Sequence, residues 1–219
     1  MSTGVVPTVE EIKTAISDAV PGLSVQDQQI AVASYRVLSR GEPASPDAIA
    51  AEAGVPVEVV QDRLGEWAAV FRNDDGAVVG FWGLAIVEMP HRLELADGTR
   101  LYAWCAWDPL FLAPIIGDLA VATTDATTGA DISYRVVDGA VVEASHPDGV
   151  LSFLRPDEPW DDTVMSTFCH YVLHFETQAG AEAWIGQHPG TFALALPDAV
   201  AVAHHHVQRT FSDALRDDG

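Results

Sequence analysis

Apolar residues recur at three- and four-residue intervals through the first third of the chain, and at two-residue intervals beyond it. Val9, Ile12, Ile16 and Val20 keep helical spacing until Pro21-Gly22 stops the run. A second helix is predicted from about Ser24 to Ser39, with Ile30, Ala33, Val37 and Leu38 as its apolar stripe and Gly41 as its end. Ser45-Pro46 couples an N-cap serine to a first-turn proline, which opens a short helix that runs to Ala53 before Gly54. Another helix starts at Pro56 and carries Val59, Val60 and Leu64 to about Trp67. Val70-Phe71, the turn Asn73-Asp74-Asp75-Gly76 and the run Ala77 to Phe81 then read as a hairpin.

From Leu84 onward the period is that of strands. Ile86 to Leu95 and Arg100 to Cys105 flank the turn Ala96-Asp97-Gly98, and Leu119 to Thr124 and Asp131 to Val137 flank a second turn ending in Gly129. Val141 to Ala144, Val150 to Leu154 and Cys169 to Phe175 are further predicted strands. Thr177 caps a helix to about Gln187, and Pro197 to about Leu215 forms a terminal helix. The expected fold class is α+β. Residues 1–20 form an extension, 21–83 a three-helix, winged-helix-like domain, and 84–219 a mixed or antiparallel sheet with flanking helices.

Charge limits what a winged helix could do here. The chain of 219 residues carries eleven basic and thirty-two acidic residues, a formal net charge of −21. The stretch 24–82 has four arginines against nine acidic residues, and its would-be recognition helix sets Glu58, Asp62 and Glu66 against Arg63 alone. Nucleic-acid binding depends on cations that neutralise phosphates, so this segment would repel a duplex, and anionic membranes are disfavoured for the same reason. No apolar run is long enough to span a bilayer, and Met1-Ser2-Thr3-Gly4 lacks the pattern of a secretory leader. A soluble, cytoplasmic chain is expected, with its two cysteines reduced.

Those cysteines, Cys105 and Cys169, are too few for a structural zinc site of three or four thiolates. Cys105 lies in Leu101-Tyr-Ala-Trp-Cys-Ala-Trp-Asp-Pro-Leu-Phe111, where a strand gives way to a helix at Asp108-Pro109. Asp108 is expected to cap that helix, whose dipole would favour a thiolate at the corner. Alternation puts Cys169, Tyr171, Leu173 and Phe175 on one wall, which Cys105 could also reach. Two thiols and a carboxylate at one inner site suit a soft, thiophilic metal. The consecutive His204, His205 and His206 read as an exposed helix face, and His170 and His174 stand too far apart along a strand for one metal.

Cys105 and Asp108 in this corner, followed some sixty residues later by Phe-Cys-His with Cys169, resemble the organomercurial (alkylmercury) lyase family. The resemblance covers about residues 24–210, and the family's winged-helix-like amino-terminal domain is similar to the helices predicted here. It implies protonolysis of a carbon–mercury bond to a hydrocarbon and Hg(II). Cys105 and Cys169 would take the mercury, product Hg(II) included, and Asp108 would shuttle the proton and join that metal set. It also implies no resident cofactor, organomercurial substrates, small external thiols to extract Hg(II), and a mercuric reductase as a recipient. Where some family members have a further cysteine after the late catalytic one, this chain has His170, which bears on hand-off of Hg(II). The competing reading is a non-catalytic mercury binder or sensor that keeps the dithiol and cleaves nothing.

Overall fold

The computed structural model describes residues 6–216, so the Met1–Gly4 segment of the leader argument lies outside the described residues. Four helices come first: α1 (Val9–Ala19), α2 (Val25–Leu38), α3 (Pro46–Ala53) and α4 (Val57–Glu66). Thr8 and Ser24 close capping boxes with Glu11 and Asp27, which satisfy the free N–H groups that open α1 and α2. Ser45 caps α3 with Pro46 in its first turn, and Gly54 ends that helix in the left-handed conformation. Each of these ends follows the sequence pattern.

Eight strands form one antiparallel sheet in the order β1 (Val70–Arg72), β2 (Val78–Phe81), β3 (Leu84–Ala85), β5 (Arg100–Ala103), β4 (His91–Leu95), β6 (Leu119–Thr124), β7 (Asp131–Val137), β8 (Ala140–Val142). The β1–β2 hairpin is therefore continuous with the strands that follow it. Burial alternates strictly in β6 and β7, so one face of the sheet is packed and the other faces solvent. A second antiparallel sheet has the order β10 (His174–Phe175), β9 (Val150–Leu154), β11 (Thr191–Ala195). Helices α5 (Asp108–Ile116) and α8 (Leu196–Arg216) lie against each other and against both sheets. α5 is apolar on nearly every side, because it runs through the interior with seven of its nine residues buried.

Two predicted elements differ and one is additional. The strand predicted from Ile86 is shorter, since Met89-Pro90 interrupts the ladder between β3 and β4. β11 follows Pro189-Gly190 and was not expected; its pairing with β9 supplies the hydrogen bonds that define it. The stretch predicted as a strand from Cys169 to Phe175 follows the short helix α6 (Val164–Thr167), begins with a 3₁₀ turn (Cys169–Tyr171), and pairs as a strand only at β10. Its apolar alternation reflects burial from several sides, which periodicity alone cannot tell from a strand. α7 (Gln178–Ile185) is capped by Thr177 as predicted.

Candidate active site

β5 ends at Ala103 and α5 begins at Asp108, so Cys105 sits in the corner between them. That corner is pinned on two sides by backbone. The Trp104 N–H donates to the Gly83 carbonyl at 3.0 Å, and the Ala106 N–H donates to the Val172 carbonyl at 3.0 Å. The second bond joins the corner to the 3₁₀ turn that carries Cys169, whose carbonyl accepts from the Val172 N–H at 3.1 Å. A single-residue bridge thus brings together two cysteines sixty-four positions apart. Trp107 anchors the other side by donating its indole N–H to the Ala199 carbonyl of α8 at 3.1 Å.

Cys105, Asp108 and Cys169 are all buried, and their ligating atoms lie within 4.8 Å of one another. Both cysteines are free thiols. Asp108 does not cap α5: Trp107 holds the cap position and Asp108 is the first residue of the helix. Its carboxyl turns back onto the corner. Oδ2 accepts the Cys105 N–H at 2.7 Å and Oδ1 accepts from the Cys105 thiol at 3.2 Å. Burial raises the Asp108 carboxyl to about 7, against hydrogen bonds from Cys105 and the Trp104 backbone that lower it. Burial also pushes the Cys105 thiol up, and contact with Cys169 and Asp108 adds to this. The expectation that the helix dipole would favour a thiolate at the corner is thus reversed: desolvation in a dry corner outweighs the field of one short helix.

A cavity of about 270 Å³ opens on Asp108 and Cys169. Five of the chain's six tryptophans line it: Trp67, Trp82, Trp104, Trp107 and Trp160. Tyr171 and Phe175, expected on this wall, lie elsewhere. Tyr171 meets His170 and His188 edge-on, and Phe175 belongs to a small cluster with Val150 and Ala181. Glu66 and Asp161 are the other carboxylates on the lining, and no lysine or arginine is among its residues.

The sequence reading missed part of this site. His206 is buried, lines the cavity, and packs against Trp107 and Phe111, with burial lowering its imidazole to about 3. Its neighbours turn away as helical spacing requires, His204 to the Gly139 carbonyl and His205 to the Ser17 hydroxyl. Tyr35, Trp67, Trp82 and Gly83 come from the amino-terminal third. The one available signal was the high tryptophan content, which says nothing about where the rings meet.

Two soft thiols beside a protonatable carboxyl, at the wall of a largely aromatic cavity, define a thiol-based site for a thiophilic metal and its organic substituent. The family model described as alkylmercury lyase matches residues 84–208. An alkylmercury lyase of Staphylococcus epidermidis is 37% identical over 171 residues, which cover 78% of this chain and 77% of that protein. One from Pseudomonas putida is 31% identical, covering 84% and 86% respectively. The crystal structure of the mercury-bound form of MerB2 superposes with a TM-score of 0.68 at 19% identity, covering 90% of this chain and 96% of that one. The chain belongs to the alkylmercury lyase family.

Proposed function

We propose that Cys105, Cys169 and Asp108 are the groups with which this carbon–mercury lyase breaks its substrate. The observation that carries the assignment is the buried cluster itself, two thiols and one carboxyl within 4.8 Å. An organomercurial cation enters with its organic group among the tryptophan rings, and its mercury replaces the proton of the Cys105 thiol. That proton has a short path, since the thiol already donates to Asp108 Oδ1. Bonding by Cys169 then raises electron density on the mercury-bound carbon. Asp108 delivers its proton to that carbon as the carbon–mercury bond breaks. The balance is one organomercurial cation and two thiols giving a hydrocarbon, a mercury(II) dithiolate and one released proton.

A carboxyl raised to about 7 suits this role, because it can hold a proton near neutral pH and still release it. No resident cofactor takes part. Small external thiols would extract Hg(II) by exchange, and a mercuric reductase is the proposed recipient, with His170 exposed beside Cys169 instead of a further thiol. A cytoplasmic setting fits two free thiols. The amino-terminal segment is proposed as a winged-helix-like unit (21–83), after an extension (1–20), that walls the lyase site at 84–219 instead of reading DNA; Glu66 at the cavity supports this. Phenylmercury with excess small thiol should yield benzene. Stoichiometric mercury uptake with no benzene would favour the non-catalytic binder. Cys105→Ser and Cys169→Ser should each abolish release.

A further inference from the structure

The Gly83 backbone lies against the Asp108 carboxyl more closely than any side chain could. A Cβ at Gly83 would stand 2.9 Å from Asp108 Cγ, 3.1 Å from Oδ1 and 3.0 Å from Phe111 Cζ. Oδ1 is the oxygen that accepts from the Cys105 thiol. Gly83 thus packs its backbone directly against the working oxygen. The turn that brings it there is unusual: Gly83 has φ +96°, and Trp82 has φ +33°, rare for a bulky side chain. Such a conformation persists only where its surroundings hold it.

Three hydrogen bonds do so. The Tyr35 hydroxyl donates to the Trp82 carbonyl at 2.9 Å, the Trp82 indole N–H donates to the Ala68 carbonyl at 2.9 Å, and the Gly83 carbonyl accepts from Trp104 at 3.0 Å. Tyr35 is fully buried in the last turn of α2, where a hydroxyl is retained only with a partner. Its ring is fixed edge-on by Phe81 and Phe211. Tyr35, Trp82 and Gly83 all precede the segment 84–208 matched by the family model.

We propose that Tyr35 is a positioning residue of the reaction: through the Trp82 carbonyl it holds the Gly83 backbone against Asp108 and keeps the proton-carrying oxygen out of water. This rests on Asp108 being the proton donor. The amino-terminal helices then act on the chemistry without touching the reacting atoms.

The titratable groups gathered around Asp108 are Cys105, Cys169 of the 3₁₀ turn, Tyr35 of α2, Tyr134 of β7 and His206 of α8, with Glu66 and Asp161 on the same cavity. None of these is a lysine or arginine.

The test is single-turnover hydrocarbon release from phenylmercury in Tyr35→Phe at one fixed pH, with mercury uptake by the two thiols measured in parallel and folding checked by circular dichroism. We expect release to slow roughly 10-fold while uptake is unchanged. Unchanged release in the folded variant, or release and uptake falling together, would overturn the proposal. Gly83→Ala supplies an independent arm: release should fall at least about 100-fold while mercury uptake by both thiols persists. Normal release in folded Gly83→Ala would likewise overturn it. Asp108→Asn run alongside separates the two ideas. If Asp108→Asn releases hydrocarbon normally, the proton-donor reading fails; if it is inactive while Tyr35→Phe releases as the wild type does, only the positioning role fails.

Discussion

Asp108 does two incompatible things, and its burial explains both. A carboxyl wholly removed from water is costly to ionise, so it keeps its proton to about pH 7 and can deliver it. The same burial weakens the fold at alkaline pH. Its folded value lies above the unfolded 3.8, so the stability it contributes below that value is lost as pH rises through about 7. Asp108→Asn should therefore lower hydrocarbon release by roughly 10²–10⁴-fold. It should also stabilise the protein at pH 8 by on the order of a few kcal/mol relative to the native chain, and by far less at pH 4. Paired thermal melts at the two pH values check the second claim, and equal shifts at both would contradict it. For the native chain, single-turnover release should decline as pH rises through about 7, read from hydrocarbon evolved in buffered series.

At the scale of elements, the site depends on connections made outside the regular ladders. Asp125 shows how strong one such connection is. Following β6, its Oδ1 accepts from the Thr127 N–H and hydroxyl and from the Thr128 N–H, while Oδ2 accepts from the Glu176 N–H just after β10. Burial would raise this carboxyl, but these donors win and hold it at about 2. One side chain thus closes the β6–β7 turn and ties the large sheet to the small one, close in sequence to the segment carrying Cys169. Asp125→Ala leaves several donors without a partner and should cost roughly 2–3 kcal/mol in urea unfolding. A loss within a few tenths of a kcal/mol would show that water replaces the carboxylate. Asp125→Asn should recover part of that loss, since an amide oxygen still accepts.

Over the whole molecule, buried neutral histidines set the acid limit. Burial lowers His91 to about 4 and His174 and His206 to about 3. His91 meets the Thr123 hydroxyl at 2.8 Å and His174 the Tyr134 hydroxyl at 3.0 Å, so each is satisfied without charge. Their folded values lie below the unfolded 6.5, so the stability they contribute above it is lost as pH falls towards 3–4. Asp108 works in the opposite sense between pH 4 and 6.5, but one group stands against three. Equilibrium unfolding should therefore show stability rising with pH across that interval, and cooperative acid unfolding at about pH 4–5. A flat profile there would mean that the histidines ionise within the native fold. Most of the acidic residues remain on the surface.

Much of the helical half was legible because caps and apolar spacing are local. Ser24, Ser45 and Thr177 each accept a backbone N–H within three residues, so the sequence alone placed those starts. The hairpin strands β6 and β7 were equally plain, since period-two burial with a glycine turn needs no partner to be recognised. Cys105, Asp108 and Cys169 could be singled out by residue type and by resemblance. Their meeting at one inner site was expected, but not the means, which is Ala106 bonding to Val172 across the interior. Nor was it legible that Asp108 turns from the helix end to the Cys105 thiol, or that burial against Trp107 and Phe111 selects His206 from three consecutive histidines. Local pattern determines where elements begin and which face is apolar. Which polar groups lose water together is decided only by packing, and that desolvation sets the chemistry of this site.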